Sequence, residues 1–397
     1  MNKIGIIGTG YVGLVTGLGF AKLGNTVHFI DIDEMKVDNL KKGVAPFFEP
    51  GLKEALSDKS ILSRVEFTTD YLEGLNDADL VFICVQTPQM NGKVADLSYL
   101  FDAIRRVNEV LDEDKIICIK STFPPSVLSD LEKEFSNYEN FIFNPEFLRE
   151  GSAFYDFSNP DRIIIGGLNK DNVNYLSNIY KSFDTQIILT DPVTSQLSKY
   201  LSNAYLPMRL SFINEALQIG TSLGADIETL VEAIGADKRI GKDYFRPSPG
   251  WGGSCFPKDT KALEFLLKEN NLNAPLMNSI HSSNDEHMGW ILEKIINLKN
   301  EFNKKQVVLL GAAFKENTDD LRESPTLKIY SELKKEKIPV IIIDNLDLDI
   351  EDYTTDVDKV NNSLVIVMYP GDNIDLLLGS LMDKENKIII PWENIAL

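Results

Sequence analysis

Short apolar runs alternate with longer stretches of helical period along most of this chain. Lys3–Gly8 is followed by a helix-like stretch from Leu14 to Leu23 and then by Thr26–Asp31. The same beat returns at Arg64–Thr68, Asp79–Val85, Lys115–Lys120 and Phe141–Phe143, and again at Arg162–Gly167 and Gln186–Thr190. Apolar runs of this length, separated by helical segments, predict a parallel, doubly wound sheet that closes near residue 190. A helical stretch from Thr194 to Leu223 follows, about 45 Å long at about 1.5 Å per residue, with Pro207 expected to kink it. Helical period resumes at Ile227–Ile234 and over Thr260–Lys299, with an interruption near Pro275. A second alternating unit opens at Gln306–Gly311 and continues through Ile338–Asp344, Ser363–Met368 and Lys387–Ile390. The expected division is 1–190, 191–300 and 301–397, in keeping with a chain of 397 residues, too long for one hydrophobic core.

Charge narrows the partners. A net charge of −20 leaves no basic face for nucleic acid or an anionic membrane, so an anionic small ligand needs a local basic cluster. Asp237–Arg246 supplies one, with four bases and two acids. The cysteines, Cys84, Cys118 and Cys255, form no disulfide framework and no Cys/His metal spacing. No metal is expected, and a reducing, cytoplasmic setting is. Ile4–Ala21 has 18 consecutive uncharged positions, but six are glycines that break it into strand, turn and helix, so no membrane span is expected. A strand opening at residue 3 also leaves no room for a signal peptide, and the protein is expected to be soluble.

The first strand runs into Gly8-Thr9-Gly10-Tyr11-Val12-Gly13, a helix follows, and the second strand ends in Asp31, 18 residues after Gly13. Strand, G-x-G-x-x-G, helix, strand and acid form the dinucleotide fingerprint in full context. Its glycines allow the tight turn, and the helix N-terminus offers N–H groups to a pyrophosphate. Asp31 is expected to bond ribose hydroxyls, while Asp33 and Glu34 disfavour a 2′-phosphate, so NAD is expected rather than NADP. A unit holding another adenosine compound is the alternative. The second unit lacks the later glycines and is not expected to bind a dinucleotide.

Three loops leave the carboxyl ends of the first unit's strands, where ligands of such sheets bind: Gln86-Thr87-Pro88, Ser121–Pro125 and Asn144–Gly151. Each supplies either redox-site hydroxyls and carboxylates or an ordinary turn. On the long helix, Lys199, Asn203 and Asn214 share a face, lining a cleft or merely facing solvent. Gly250-Trp251-Gly252-Gly253-Ser254-Cys255 presents its thiol on a glycine-rich loop, followed by Lys258 and Asp259. Cys255 reads either as a nucleophile beside positive charge or as a small buried hydrophobe. Lys315 and Arg322 hold an anion or decorate a solvated loop. His28, His281 and His287 stand away from the three rim loops and read as structural or surface residues.

A cysteine adds a second step to alcohol oxidation: it captures the aldehyde, yields a thioester after a second hydride loss, and water then releases an acid. Lys and Asn stabilise the oxyanions and a carboxylate steers the water. The chain resembles the UDP-glucose/GDP-mannose dehydrogenase family over nearly its whole length. The resemblance lies in Gly8–Gly13, Thr87-Pro88, Ser121-Thr122, Asn144–Gly151, Lys199 with Asn203, Asn214 and Glu215, Gly252–Asp259, and Phe314-Lys315 with Asp319–Ser324. Asp237–Gly241, Arg149–Ser152 and Pro160-Asp161-Arg162 resemble the branch acting on UDP-glucose. Ser254 stands where the UDP-N-acetylmannosamine branch has histidine.

That resemblance implies an α/β fold, two Rossmann-like doubly wound domains joined by a long central helix. It implies Cys255 as nucleophile, Lys199 and Asn203 as oxyanion partners, and Asp259, Glu146 and Thr122 managing water and protons. Gly8, Gly10, Tyr11, Val12, Gly13, Asp31, Thr87, Thr122, Glu150, Lys258 and Arg322 are the residues it implies for NAD. For the nucleotide sugar it implies Glu146, Phe147, Leu148, Arg149, Lys199, Asn203, Tyr244, Gly252 and Lys315, with Arg239 reaching across a homodimer built on the central helix. UDP-glucose is the expected substrate, with UDP-N-acetylmannosamine and GDP-mannose as alternatives. A one-step hydroxyacid dehydrogenase, needing no Cys255, and an NAD-sensing module, needing neither Cys255 nor Lys199, stand outside the family reading. The chain departs from the family pattern at Phe123-Pro124-Pro125, and at Trp251, where Phe or Tyr is usual and where uracil or sugar packing would change.

Overall fold

The first apolar run, Lys3–Ile7 (β1), has Ile4, Ile6 and Ile7 all buried, as a strand covered on both faces requires. The computed structural model describes residues 2–90, 94–316, 318–344, 350, 352–369, 372–382, 385–390 and 395–396. They fall into two compact units, residues 1–201 and 202–397.

In the first unit, helix α1 (Tyr11–Lys22) separates β1 from β2 (Thr26–Ile30). Further strands are β3 (Val65–Thr68), β4 (Leu80–Ile83), β5 (Ile116–Ile119), β6 (Phe141–Phe143), β7 (Arg162–Gly167) and β8 (Gln186–Thr190). They lie in the order β8-β7-β6-β5-β4-β1-β2-β3. The period of two sorts their side chains: Ile6, Phe82 and Cys118 join the core on one face, and Ile7, Ile83 and Ile119 the core on the other. One expectation needs correction. The sheet is not parallel throughout, because β7 runs antiparallel to β6 with Phe143 opposite Gly166, and β8 follows β7. The chain leaving β6 therefore turns back at that strand's carboxyl end instead of crossing over, and the connection, residues 144–161 with its short helix α2 (Ala153–Ser158), stays at the ligand-binding rim.

Helix α3 (Pro192–Leu223) spans 32 residues, and the division between the units falls within it. Asp191 starts it, accepting from Thr194 N at 2.9 Å just ahead of Pro192 at the first helical position. Pro207 lies inside it and has no N–H for the carbonyl of Asn203.

The second unit continues with α4 (Ile227–Gly235), α5 (Phe256–Glu269), α6 (Pro275–Glu301), β9 (Gln306–Leu310), α7 (Pro325–Lys335), β10 (Val340–Ile343), β11 (Tyr353–Thr354), β12 (Ser363–Val367), β13 (Lys387–Ile390) and β14 (Ile395–Ala396). The strand order is β11-β10-β9-β12-β13-β14, parallel except for the last pair. Leu217, Ile227, Ile291 and Ile295 share its core with Val307–Leu310. No helix among the described residues is long and apolar enough to cross a membrane. Nor does any cluster of His, Cys, Asp and Glu among them suit a metal ion.

Candidate active site

The dinucleotide turn is built by exclusion. Gly8 has φ +94°, and a Cβ on Gly13 would stand 1.9 Å from the Gly8 carbonyl oxygen, so only glycine lets the helix sit this close to the strand. A Cβ on Gly10 would meet nothing within 4 Å, and no side chain caps the α1 N-terminus. Uncapped N–H groups beside open space fit a pyrophosphate. Asp31 is buried at the end of β2. Its Oδ2 accepts from Thr9 N (2.8 Å) and Thr9 Oγ1 (2.6 Å), with Lys36 Nζ at 3.2 Å, and Asp33 N donates to Oδ1 at 3.1 Å. Burial opposes its charge, but the Thr9 bonds and Lys36 outweigh that and hold the carboxyl below the usual range.

The rim loops are tied to one another. Thr87 Oγ1 donates to the Thr122 carbonyl at 2.7 Å, and Ser121 Oγ to the Val85 carbonyl at 2.6 Å. Lys199 and Glu146 are both buried; the ammonium donates to Glu146 Oε1 at 2.8 Å and to its carbonyl at 2.6 Å, while Leu148 N donates to Oε2 at 2.7 Å. The Arg162 guanidinium lies 3.7 Å from the centre of the Phe147 ring, and Lys199 Nζ lies 5.3 Å from it. Arg149 grips Asp156 through Nε (3.0 Å) and Nη2 (2.5 Å). Behind the rim, Lys120 Nζ and the Tyr180 hydroxyl both donate to Asn144 Oδ1, at 3.0 and 2.8 Å, and burial holds the lysine below its ordinary pKa.

In the second unit Asn203 Nδ2 donates to Asp259 Oδ2 at 2.7 Å, and Lys258 Nζ lies 3.0 Å from Oδ1 of the same, almost fully buried carboxylate. Cys255, half-buried, is the N-cap of α5, with Asp259 in its first turn. A helix N-terminus favours negative charge on the sulfur. Two helices brace the loop before it. From α3, Asn214 Oδ1 accepts from Ser248 N at 2.9 Å, and Ser211 Oγ accepts from Trp251 Nε1 at 3.1 Å. From α6, Asn284 takes both backbone groups of Trp251 at 3.0 Å, and His287 Nε2 lies 2.8 Å from the Ser248 carbonyl with Gln218 Nε2 3.0 Å from its Nδ1. Those partners assign the histidine proton to Nε2. On the other side, Gly253 N donates to the Arg322 carbonyl at 2.9 Å.

Family models for the NAD-binding, central and UDP-binding domains of the UDP-glucose/GDP-mannose dehydrogenase family match residues 2–184, 193–286 and 308–366 in turn. The chain belongs to this family. It is 39% identical over 337 residues to UDP-glucose 6-dehydrogenase YwqF of Bacillus subtilis, covering 83% of this chain and 77% of that one. A UDP-glucose dehydrogenase structure from Pyrobaculum islandicum superposes with a TM-score of 0.86 at 31% identity, over 98% of this chain and 94% of that one. A UDP-D-ManNAc dehydrogenase from Pyrococcus horikoshii gives 0.81 at 26%, over 92% and 89%. The chain is thus an NAD-dependent oxidoreductase, its dinucleotide turn and Asp31 lying in the matched NAD-binding domain.

Within this member of the family the Lys199, Asn203 and Asn214 face is neither solvated nor shared by one partner. Each is buried and bonded to a different segment. Trp251 is 3% exposed, its ring lies 5.1 Å from that of His281 and its Nε1 donates to Ser211 Oγ, so it braces the loop from within. Phe123, the other departure, is likewise core. Arg239 and Arg322 pair with Asp237 and Asp320, each two residues earlier, on exposed turns. Tyr244 sits at φ +54°, and Lys315 Nζ lies 5.3 Å from the Phe314 ring centre. Glu49, Lys120, Ser211 and Asn284 carry no local signal in the sequence. Lys36, a base shortly after the acid of the fingerprint, does carry a local cue.

Proposed function

We propose that this protein oxidises UDP-glucose to UDP-glucuronate, reducing two NAD per sugar through a covalent intermediate on Cys255. Bound NAD supplies the hydride acceptor for both oxidations. In the first, the C6 alcohol loses a hydride from carbon and a proton from oxygen, with Thr122 and Glu146 managing the proton. The Cys255 sulfur then bonds to the aldehyde carbon, its proton ending on the new hydroxyl, which gives a thiohemiacetal. Loss of a second hydride and of the hydroxyl proton converts this to a thioester. Water steered by Asp259 attacks it, the C–S bond breaks, and the thiol and a carboxylic acid are left. Lys199 and Asn203 stabilise the oxyanions along this path.

Gly8, Gly10, Tyr11, Val12, Gly13, Asp31, Thr87, Thr122, Glu150, Lys258 and Arg322 are assigned to NAD. Phe147, Leu148, Arg149, Tyr244, Gly252 and Lys315 are assigned to the nucleotide sugar together with Glu146, Lys199 and Asn203. The division of labour follows 1–190 for NAD, 191–300 for the thiol and central helix, and 301–397 for the UDP-sugar. Arg239 acts across a homodimer, and a reducing cytoplasm suits a thiol nucleophile. The observation supporting this reading most directly is Cys255 at a helix N-terminus whose first turn holds Asp259, itself bonded to Asn203.

The test is NADH formed per sugar at limiting UDP-glucose, beside UDP-N-acetylmannosamine and GDP-mannose. Two NADH per UDP-glucose are expected, and Cys255→Ser should lower acid formation by about three orders of magnitude. Two NADH from another sugar would move the substrate and keep the chemistry. One NADH per sugar, or full acid production by Cys255→Ser, would overturn it.

A further inference from the structure

Glu49 lies in none of the motifs named above and takes no part in the reaction above, yet its carboxylate is buried and carries three hydrogen bonds. Gly151 N donates to Oε2 and Ala153 N to Oε1, both at 2.7 Å, and the Tyr11 hydroxyl donates to Oε2 at 2.9 Å. The same hydroxyl lies 2.8 Å from the Arg149 carbonyl, so its one proton is shared between two acceptors. Burial and the neighbouring carboxylates, Glu49 first among them, push this phenol far above its ordinary pKa, which keeps it a donor.

These bonds converge on one residue. Glu150 is flanked by the Arg149 carbonyl, held by Tyr11, and by the Gly151 N–H, held by Glu49. Tyr11 is itself the first residue of α1, inside the dinucleotide turn. A buried carboxylate accepting two backbone N–H groups is expensive to misplace, since each orphaned donor would be left buried without a partner. The loop bearing Glu150 is thereby fastened to the dinucleotide turn, across a sequence separation of 138 residues between Tyr11 and Arg149.

We infer that Glu49 is a positioning residue for NAD: with the Tyr11 hydroxyl, it sets where Glu150 stands relative to the dinucleotide turn. This rests on the assignment of Glu150 to NAD made above. Glu49→Gln keeps the shape but puts an NH2 group opposite one of the two backbone donors. Tyr11→Phe removes only the hydroxyl and leaves the ring against Phe47, 5.5 Å between centroids.

The experiment measures NAD Kd by titration of the whole protein, with kcat, KM and Tm, for Glu49→Gln, Tyr11→Phe, the double variant and Glu150→Ala. Glu49→Gln and Tyr11→Phe should each raise NAD Kd by about tenfold, with most of the loss in kcat/KM carried by KM for NAD. The double variant should bind no more weakly than Glu49→Gln alone, because both act through one loop. A fall in Tm with NAD Kd unchanged, or additive losses in the double variant, would overturn the inference. Should Glu49→Gln fail to fold, Glu49→Asp, which keeps the charge but shortens its reach to the Gly151 and Ala153 N–H groups, takes its place with the same outcomes. If Glu150→Ala leaves NAD Kd unchanged, the Glu150 assignment fails and takes the inference with it. If Glu150→Ala weakens NAD and Tyr11→Phe does not, only the inference fails.

Discussion

Gly252 shows how little room the thiol loop has. A Cβ there would stand 2.1 Å from the Glu323 carbonyl oxygen and 3.2 Å from Pro325 Cδ. Glu323 cannot easily yield, since it already sits at φ +53°. Gly252→Ala should therefore push the loop, and Cys255 three residues on, away from α7 rather than clash in place. A displacement of about 1 Å at a reacting group costs about 100-fold in rate, so kcat with UDP-glucose should fall by about that factor. The companion Gly224→Ala, where φ is +74° but a Cβ meets nothing, should cost stability alone. Equal activity in Gly252→Ala and wild type would show that the loop can move without consequence.

At the level of elements, α6 is the brace of that loop. Asn284 and His287 are three apart and so share a helix face, one holding Trp251 and the other Ser248. Burial pushes His287 down to about 4 from 6.5. The folded state therefore binds fewer protons than the unfolded chain between those values, and stability rises with pH across that window. It is fully present above about pH 6.5 and is lost as the pH falls toward 4, by about 3 kcal/mol at most. Wild type should lose more Tm between pH 7.5 and pH 5 than His287→Gln, which has no proton to take up. Parallel losses would mean that His287 is not the group responsible.

The same helix marks the limit of what the sequence discloses. Its period and its break at Pro275 are local, and both were legible. The bonds from Asn284 to Trp251 span 33 residues and leave no mark in either segment. Glu49 is harder still, since its partners lie 38 to 104 residues away. The dinucleotide turn was legible because one segment holds all its parts. The reversal at β7 was not, because strand direction depends on where a connection returns, and Arg162–Gly167 reads the same either way.

For the whole molecule, α3 carries an apolar stripe that its own chain leaves exposed. Leu201, Tyr205, Phe212, Ile219 and Leu223 are all exposed, from 42% to 79%, on a helix of 32 residues. Their spacings of four, seven, seven and four residues keep them on one stripe, which is the pattern of a helix that packs against another. A second copy offers the same stripe, and a two-fold axis lets each helix bury the other's apolar face. The chain should therefore run in solution at twice its 44.6 kDa mass by light scattering. Phe212→Glu with Ile219→Glu places two charges in each copy's half of such an interface and should shift the protein to monomer. Because Arg239 is assigned to the partner's nucleotide sugar, that monomer should also lose UDP-glucose affinity while keeping NAD affinity. A wild-type monomer, or a charged variant that stays dimeric, would remove this face as the interface; a monomer with undiminished UDP-glucose affinity would remove Arg239 from the partner's site.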